Sequence, residues 1–182
     1  MRTALISLLC LTATAVAFAD DPSIPAPPFT IQRVGAPPTQ LSQYKGKIVV
    51  LTFIHTTCPH CQMLTKGIAP IARDYAAKGV QFIECAFNDG ADGLVEAFSQ
   101  TFQPGFPVGY SNQTAVRAFL QYSKMDKVFY VPHMVLIDAK GVIHGDFPGE
   151  SDFMKNPEAS LRLELDKLLK APVATTAGTK KK

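Results

Sequence analysis

The stretch "IVVLTFIHTTCPHCQM", Ile48 to Met63, decides how the rest of the chain is read. It opens with an unbroken β-branched and aromatic run, Ile48 to Ile54. Such a run predicts a strand buried on both faces, as in a parallel α/β sheet. Two cysteines, Cys58 and Cys61, follow the strand directly, with Pro59 and His60 between them. From Pro59 to about Ala77 the spacing of Leu64, Ile68, Ile71 and Tyr75 predicts a helix with one apolar stripe, interrupted by Gly67 and Pro70 and ended by Gly79. "VQFIECAF", Val80 to Phe87, predicts the next strand. Strand, helix and strand make a right-handed βαβ unit.

The cysteines therefore sit where a strand feeds the first turn of a helix. Helix N-termini carry unpaired N–H groups and a positive partial charge, which favour a thiolate. Pro59 suits that turn because its missing N–H is not needed there. Cys58 is expected at the exposed start as the nucleophile, and Cys61 one turn further in as the resolving thiol. His60 beside the Cys58 sulfur would further stabilise a thiolate; such surroundings lower a cysteine pKa from about 8.5 to roughly 3.5–7.5. Thiolate stabilisation favours the reduced state, by about 30 mV for each 1.4 kcal/mol, and so tilts the pair towards oxidising or isomerising chemistry.

Outward from this unit, "ADGLVEAFSQTF" predicts a helix with Leu94, Phe98 and Phe102 on one face, and "FPVGYS" a short strand. "NQTAVRAFLQY" predicts a helix capped by Asn112, with Val116, Phe119 and Leu120 facing inward. "HMVLID", "AKG" and "VIHGDF" predict a β-hairpin, and Pro157 to Lys170 a last helix striped by Leu161, Leu165 and Leu168. Alternation places Cys85 with Ile83 and Phe87 in the core, as an inert thiol, and Glu84 on the opposite face. Residues 20–39 are proline-rich and read as an extended leader, in which Ile31 and Val34 could supply an edge strand; residues 40–171 form the domain, and 172–182 lack any apolar period and read as a disordered tail.

Residues 1–19 have the layout of a secretory signal peptide: Arg2, an apolar run from Ala4 to about Leu11, and small residues before Asp20. Cys10 belongs to that discarded segment. A secreted or periplasmic protein is expected, without an integral membrane segment after cleavage. The mature chain keeps Cys58, Cys61 and Cys85, and export permits a disulfide. At 47% hydrophobic and 18% charged the chain reads as globular. No basic stripe with interleaved aromatics points to nucleic acid.

"LSQYKGKIVVLTF" leading into "TTCPHC", then "GFPV" and "YVPHMVLIDAKGVI", resemble the thioredoxin-fold superfamily over about residues 30 to 170. The spacing is most similar to the exported TlpA/ResA-like branch and the related redoxin, or AhpC/TSA-like, domains; CPHC itself resembles the motif of DsbA-type oxidases. The resemblance implies a thioredoxin-like three-layer α/β/α fold with a central mixed sheet and a βα insertion before the cis-proline strand. It implies a thiol–disulfide oxidoreductase, monomeric and without a cofactor, that exchanges a Cys58–Cys61 dithiol or disulfide with partner proteins and is regenerated by a redox partner. It makes Val131–Pro132 the expected cis bond, with the Val131 backbone free to pair with a substrate peptide, and it leaves His133 either near the site or pointing away. The sequence departs from the family in three places. Thr57 stands where thioredoxins have tryptophan. Thr52 and Leu64 stand at the two positions where relatives carry a proton-transfer carboxylate. Another group, or water, must then deprotonate Cys61.

Four other readings compete. A peroxiredoxin requires the pattern PxxxTxxC, but Leu51 and His55 occupy the two key places. Copper delivery of the Sco type would use Cys58, Cys61 and one of His55, His60 or His133, although Sco cysteines lie three residues apart rather than two. Structural zinc lacks a second cysteine pair. A purely structural bridge over so short a loop would constrain the unfolded chain very little.

Overall fold

The computed structural model describes residues 24–121 and 129–170. The expected signal segment with Cys10, the tail from residue 172, and Tyr122 at the end of the third expected helix lie outside those residues. Eight strands form one mixed sheet: β1 (Ile24–Pro25), β2 (Thr30–Arg33), β3 (Ala36–Gln40), β4 (Ile48–Ile54), β5 (Val80–Ala86), β6 (Val108–Tyr110), β7 (His133–Ile137) and β8 (Val142–Phe147). Their order across the sheet is β1-β8-β7-β4-β5-β6-β2-β3. β4, β5 and β6 run parallel, and the remaining neighbours pair antiparallel. Among the described residues four α-helices complete the fold: α1 (Pro59–Ala76), α2 (Ala91–Phe102), α3 (Gln113–Phe119) and α4 (Pro157–Lys170). This is the three-layer α/β/α arrangement that the resemblance implies, with α2, β6 and α3 lying between β5 and the strand after Pro132.

β4 is central, and every residue in it is buried. Its side chains alternate between two layers. Val49, Leu51 and Phe53 join Ile83, Cys85 and Phe87 of the β5 strand and its exit in a core closed by Val116 and Phe119 of α3. On the other face Ile48 and Val50 meet Phe82, the α1 stripe of Leu64, Ile68, Ile71 and Tyr75, and Leu161 and Leu165 of α4. A third cluster, of Ile54, Cys61, Ala86, Ala91, Val95 and Phe98, closes the carboxyl end of the parallel strands. Two buried sheet faces explain why both central strands read as nearly continuous apolar runs.

The proline-rich segment takes part in the sheet. β1 pairs with β8, β2 pairs with β6, and Phe29 and Ile31 are buried in the main core. Pro25, Pro37 and Pro38 are tolerated because they stand in β1 and β3, the two edge strands of the sheet. Val34 is exposed at the β2–β3 turn, where Gly35 takes a positive φ. In α2 the buried stripe is Ala91, Val95 and Phe98, and Leu94 is exposed. Phe98 faces inward as expected and Phe102 packs against the same cluster, but Val95 takes the inward place expected of Leu94, in the cluster that holds Cys61. Asn112 caps α3 as expected, its Oδ1 accepting from the N–H of Ala115 at 2.8 Å. No helix among the described residues is long and apolar enough to cross a membrane.

One glycine is required by close approach rather than by φ. A Cβ on Gly109 of β6 would lie 2.3 Å from the Gln32 carbonyl oxygen and 2.5 Å from Ile31 Cγ2. Gly109→Ala should therefore part β2 from β6 and destabilise the protein by about 1–3 kcal/mol, measured as a lowered urea midpoint at an unchanged slope.

Candidate active site at the strand-to-helix switch

The loop that joins β4 to α1 is held by its own polar groups. The backbone N–H of Thr56 donates to Asn88 Oδ1 at 2.9 Å, and the Thr56 hydroxyl lies 3.2 Å from the same oxygen. From the other side Gln62 Nε2 donates to the Thr56 carbonyl at 2.9 Å. Cys58 N–H closes a turn on the His55 carbonyl at 3.1 Å, and Gln62 N–H starts the helix on the Cys58 carbonyl at 3.1 Å. Cys58 is thereby the N-cap residue of α1, with extended φ and ψ, and Pro59 occupies the first turn. A buried loop cannot leave such groups unpaired at low cost, so this clamp fixes where the cysteine emerges.

The two cysteines differ as one helical turn requires. Cys58 is half-buried, whereas Cys61 is fully buried. The Val131–Pro132 peptide is cis, as the resemblance implies, and the Cys58 thiol faces the Val131 carbonyl at 3.9 Å. Burial pushes the Cys61 thiol pKa strongly upward; a backbone hydrogen bond from His55 opposes this, while the neighbouring Cys58 sulfur and the Glu84 carboxyl add to it. Negative charge is thus costly at Cys61. His60 is exposed on the first turn and lines the groove beside Pro132. Pro132 is buried. His133 is also buried; it hydrogen-bonds Asp146 of β8 through Nε2 and stacks on Phe129, so it points away from the cysteines. His55 packs edge-on against Phe87, and burial holds its pKa below the usual histidine value. Among the described residues no three His, Cys, Asp or Glu side chains converge as a metal site. Cys85 is buried in the core, where desolvation raises its thiol pKa.

Sequence reasoning missed Glu84, Thr65 and Asn88. Thr52 and Leu64 are both buried without a carboxyl, as expected, but the neighbouring strand supplies one. Glu84 pairs in register with Thr52 and is completely buried. In a parallel pair, partners in register share a face, so Glu84 points into the α1 layer beside the position that Thr52 fills. There Thr65 Oγ1 lies 2.9 and 3.1 Å from the two Glu84 oxygens and 2.9 Å from the Cys61 carbonyl oxygen. Burial raises the Glu84 pKa to about 8, against an opposing contribution from the Thr65 bond. Hydrogen counting agrees with a neutral acid. A threonine hydroxyl has one proton and cannot donate to two acceptors. With Glu84 protonated, the carboxyl donates to Thr65 and Thr65 donates to the Cys61 carbonyl, and every group is satisfied. The signal was present in the sequence: a charged residue inside an apolar strand is rare unless paired or functional.

The fold and the paired cysteines define a thioredoxin-like redox protein. The chain belongs to the AhpC/TSA family, whose pattern it matches over residues 22–145. It is similar to the thioredoxin-like protein YneN of Bacillus subtilis, at 27% identity over 142 residues and 78% of each chain. It is also similar to the thiol-disulfide oxidoreductase ResA of Oceanobacillus iheyensis, at 26% identity over 140 residues, covering 69% of this chain and 72% of that one. Among solved structures, a thiol:disulfide interchange protein of the thioredoxin family from Chlorobium tepidum superposes with a TM-score of 0.66 at 25% identity, covering 81% of this chain and 99% of that chain.

The sign of the Glu84 effect on stability follows from its pKa. The group ionises near 4.5 when unfolded and near 8 when folded. The unfolded state therefore holds fewer protons between those values, and stability falls as pH rises through that window. Glu84→Gln keeps the shape and a donor to Thr65 but cannot ionise. The difference in unfolding free energy between this variant and wild type should grow in the variant's favour from pH 5 to pH 8, by on the order of 3 kcal/mol, as read from urea titrations at each pH.

Proposed function

We propose that this chain is an exported thiol–disulfide oxidoreductase that exchanges the Cys58–Cys61 pair with cysteines of partner proteins. The observation that carries the reading is the asymmetry of the pair: an accessible sulfur at a helix N-terminus facing a cis-proline, and a buried one whose charge is opposed by its surroundings. Family membership and the likeness to ResA support it, as does the apolar segment expected at the N-terminus. The accessible cysteine at the helix N-terminus attacks or is attacked, and the buried one resolves.

In the oxidised protein a substrate thiolate attacks Cys58 Sγ. A Cys58–substrate disulfide forms, the Cys58–Cys61 bond breaks, and Cys61 leaves with the electron pair. That buried thiolate requires a proton, and Glu84, protonated at neutral pH, supplies it. A second substrate thiolate then attacks the substrate sulfur and releases Cys58 as a thiolate; the substrate has lost two electrons and the pair has gained them. Reduction of a substrate runs the same steps backwards, with ionised Glu84 accepting the Cys61 proton. A separate redox partner returns the pair to its starting state. Val131 offers its backbone to the bound peptide, Pro59 and His60 shape the turn that presents Cys58, and one chain supplies all of these groups, so the monomer is the working unit.

Cys61→Ser should trap a mixed disulfide between Cys58 and a substrate peptide, visible by mass spectrometry and reversed by dithiothreitol, whereas Cys58→Ser should trap none. Equal trapping by both variants, or by neither, would sink the reading. In wild type the rate at which Cys61 resolves the mixed disulfide should climb through pH 8. Glu84→Gln should remove that step and slow resolution at pH 8 by about ten- to a hundred-fold.

A further inference from the structure

Beside the redox pair runs a groove of about 540 Å³. It starts at Val131 and Pro132, where Cys58 lies, and is walled on one side by α1 and on the other by residues 149–158. We propose that this groove selects the substrate: it seats an extended, cysteine-containing segment of the partner that carries apolar residues next to the cysteine and lysine or arginine beyond them. The proposal rests on the oxidoreductase reading above and adds the chemistry of what that site accepts.

The apolar half comes from Met63, which is 60% exposed, and Tyr130, which is 47% exposed, together with Met154. Singly, such exposure is ordinary, but here the exposed apolar groups line one groove and are rimmed by polar residues, as at a binding surface. Thioethers adapt to side chains of differing shape, which suits a surface that must take more than one sequence. The backbone at Val131 offers strand-like pairing at the same edge.

The charge comes from the opposite wall. Glu150 and Glu158 line the groove, both are exposed, and neither forms an ion pair among the described residues. The α1 wall leaves room for this: a Cβ on Gly67 would lie 2.0 Å from Glu158 Oε1, so a side chain there would displace the carboxylate. Glu158 also stands in the first turn of α4, where a negative charge is favourable, but Glu150 precedes that helix and has no such reason to be acidic. The one basic side chain of the lining is His60, on the α1 wall. The two unpaired carboxylates therefore present a net negative field to an incoming chain, complementary to a cationic one.

The test compares two disulfide-linked peptides, identical in apolar residues, with lysines in one and glutamates in the other at two and four residues from the cysteine. Exchange with the reduced full chain is followed by stopped flow. The lysine peptide should react about five- to thirty-fold faster at low salt, and the ratio should shrink as salt is raised to 1 M. In the double variant Glu150→Gln, Glu158→Gln the ratio should fall towards one. Glu164→Gln, on the same helix but outside the groove, should keep it. Equal rates for the two peptides, or a preference that survives the double variant, would overturn the groove assignment. Hydroxyethyl disulfide, small and uncharged, separates the two levels: exchange with it while peptide preference is absent rejects the groove alone, and no exchange with it rejects the oxidoreductase reading as well.

Discussion

The site depends on the cost of placing negative charge behind the first turn of α1. Cys61 and Glu84 occupy the same dry layer, each completely buried, and each is pushed towards its protonated form. Thr65 stands four positions after Cys61 on the helix, and its hydroxyl joins the Cys61 backbone to the acid. One turn away, Cys58 meets the positive end of the same helix and partial exposure. The sheet, the clamp on Thr56 and the packing of α1 all serve to hold these two environments about one helical turn apart. Without the difference between them the cysteines would be two equivalent thiols, and a mixed disulfide would have no preferred sulfur to form on or to be resolved by.

The strong features of the fold were legible because each has a local cause. β4 announced itself as a continuous β-branched run, α1 by a 3.6-residue stripe and a cysteine–proline start, and the hairpin of β7 and β8 by its turn at Gly141, where φ is positive. The edge strands were harder to see. β1 and β3 are short and proline-bearing, and β1 and the inner strand β2 are held by partners more than seventy residues away, Ile143 and Tyr110 among them. Local pattern carries no trace of such pairing. The exchange of Leu94 for Val95 on α2 has the same origin: the two are equally apolar, and only packing in the cluster with Cys61 decides between them.

Glu84 shows a different limit. Alternation along "VQFIECAF" correctly put Cys85 in the core and Glu84 on the other face. The error was to leave that other face uninterpreted. In a parallel strand covered by helices both faces are buried, so a glutamate on either one lies in the interior and must be neutral, paired or both. The double burial of Ile48 to Ile54 extends to its neighbour, since the two strands share seven paired positions. That burial makes the acid a candidate for chemistry on sequence grounds. His133 failed to resolve for the opposite reason: its partner, Asp146, is on the adjacent strand, and register alone brings them together.

A carboxyl at this place also shows what the site requires of the chain. The acid must occupy a point in space behind the resolving sulfur, and three backbones border that point: β4 at Thr52, α1 at Leu64, and β5 at Glu84. A side chain from β5 reaches it because β4 and β5 are in register at Thr52 and Glu84 and because Thr52 is small enough to leave the space open. Thr52 is itself buried, with a hydroxyl that has no partner among the described residues, so the polar face of this layer extends under β4 as well. An acid at Thr52 would then have to share the layer with Glu84, and two buried carboxyls in contact cannot both ionise. The pair of positions is therefore exclusive on physical grounds: this chain can place its acid on either strand, but not on both without changing the charge that Cys61 meets.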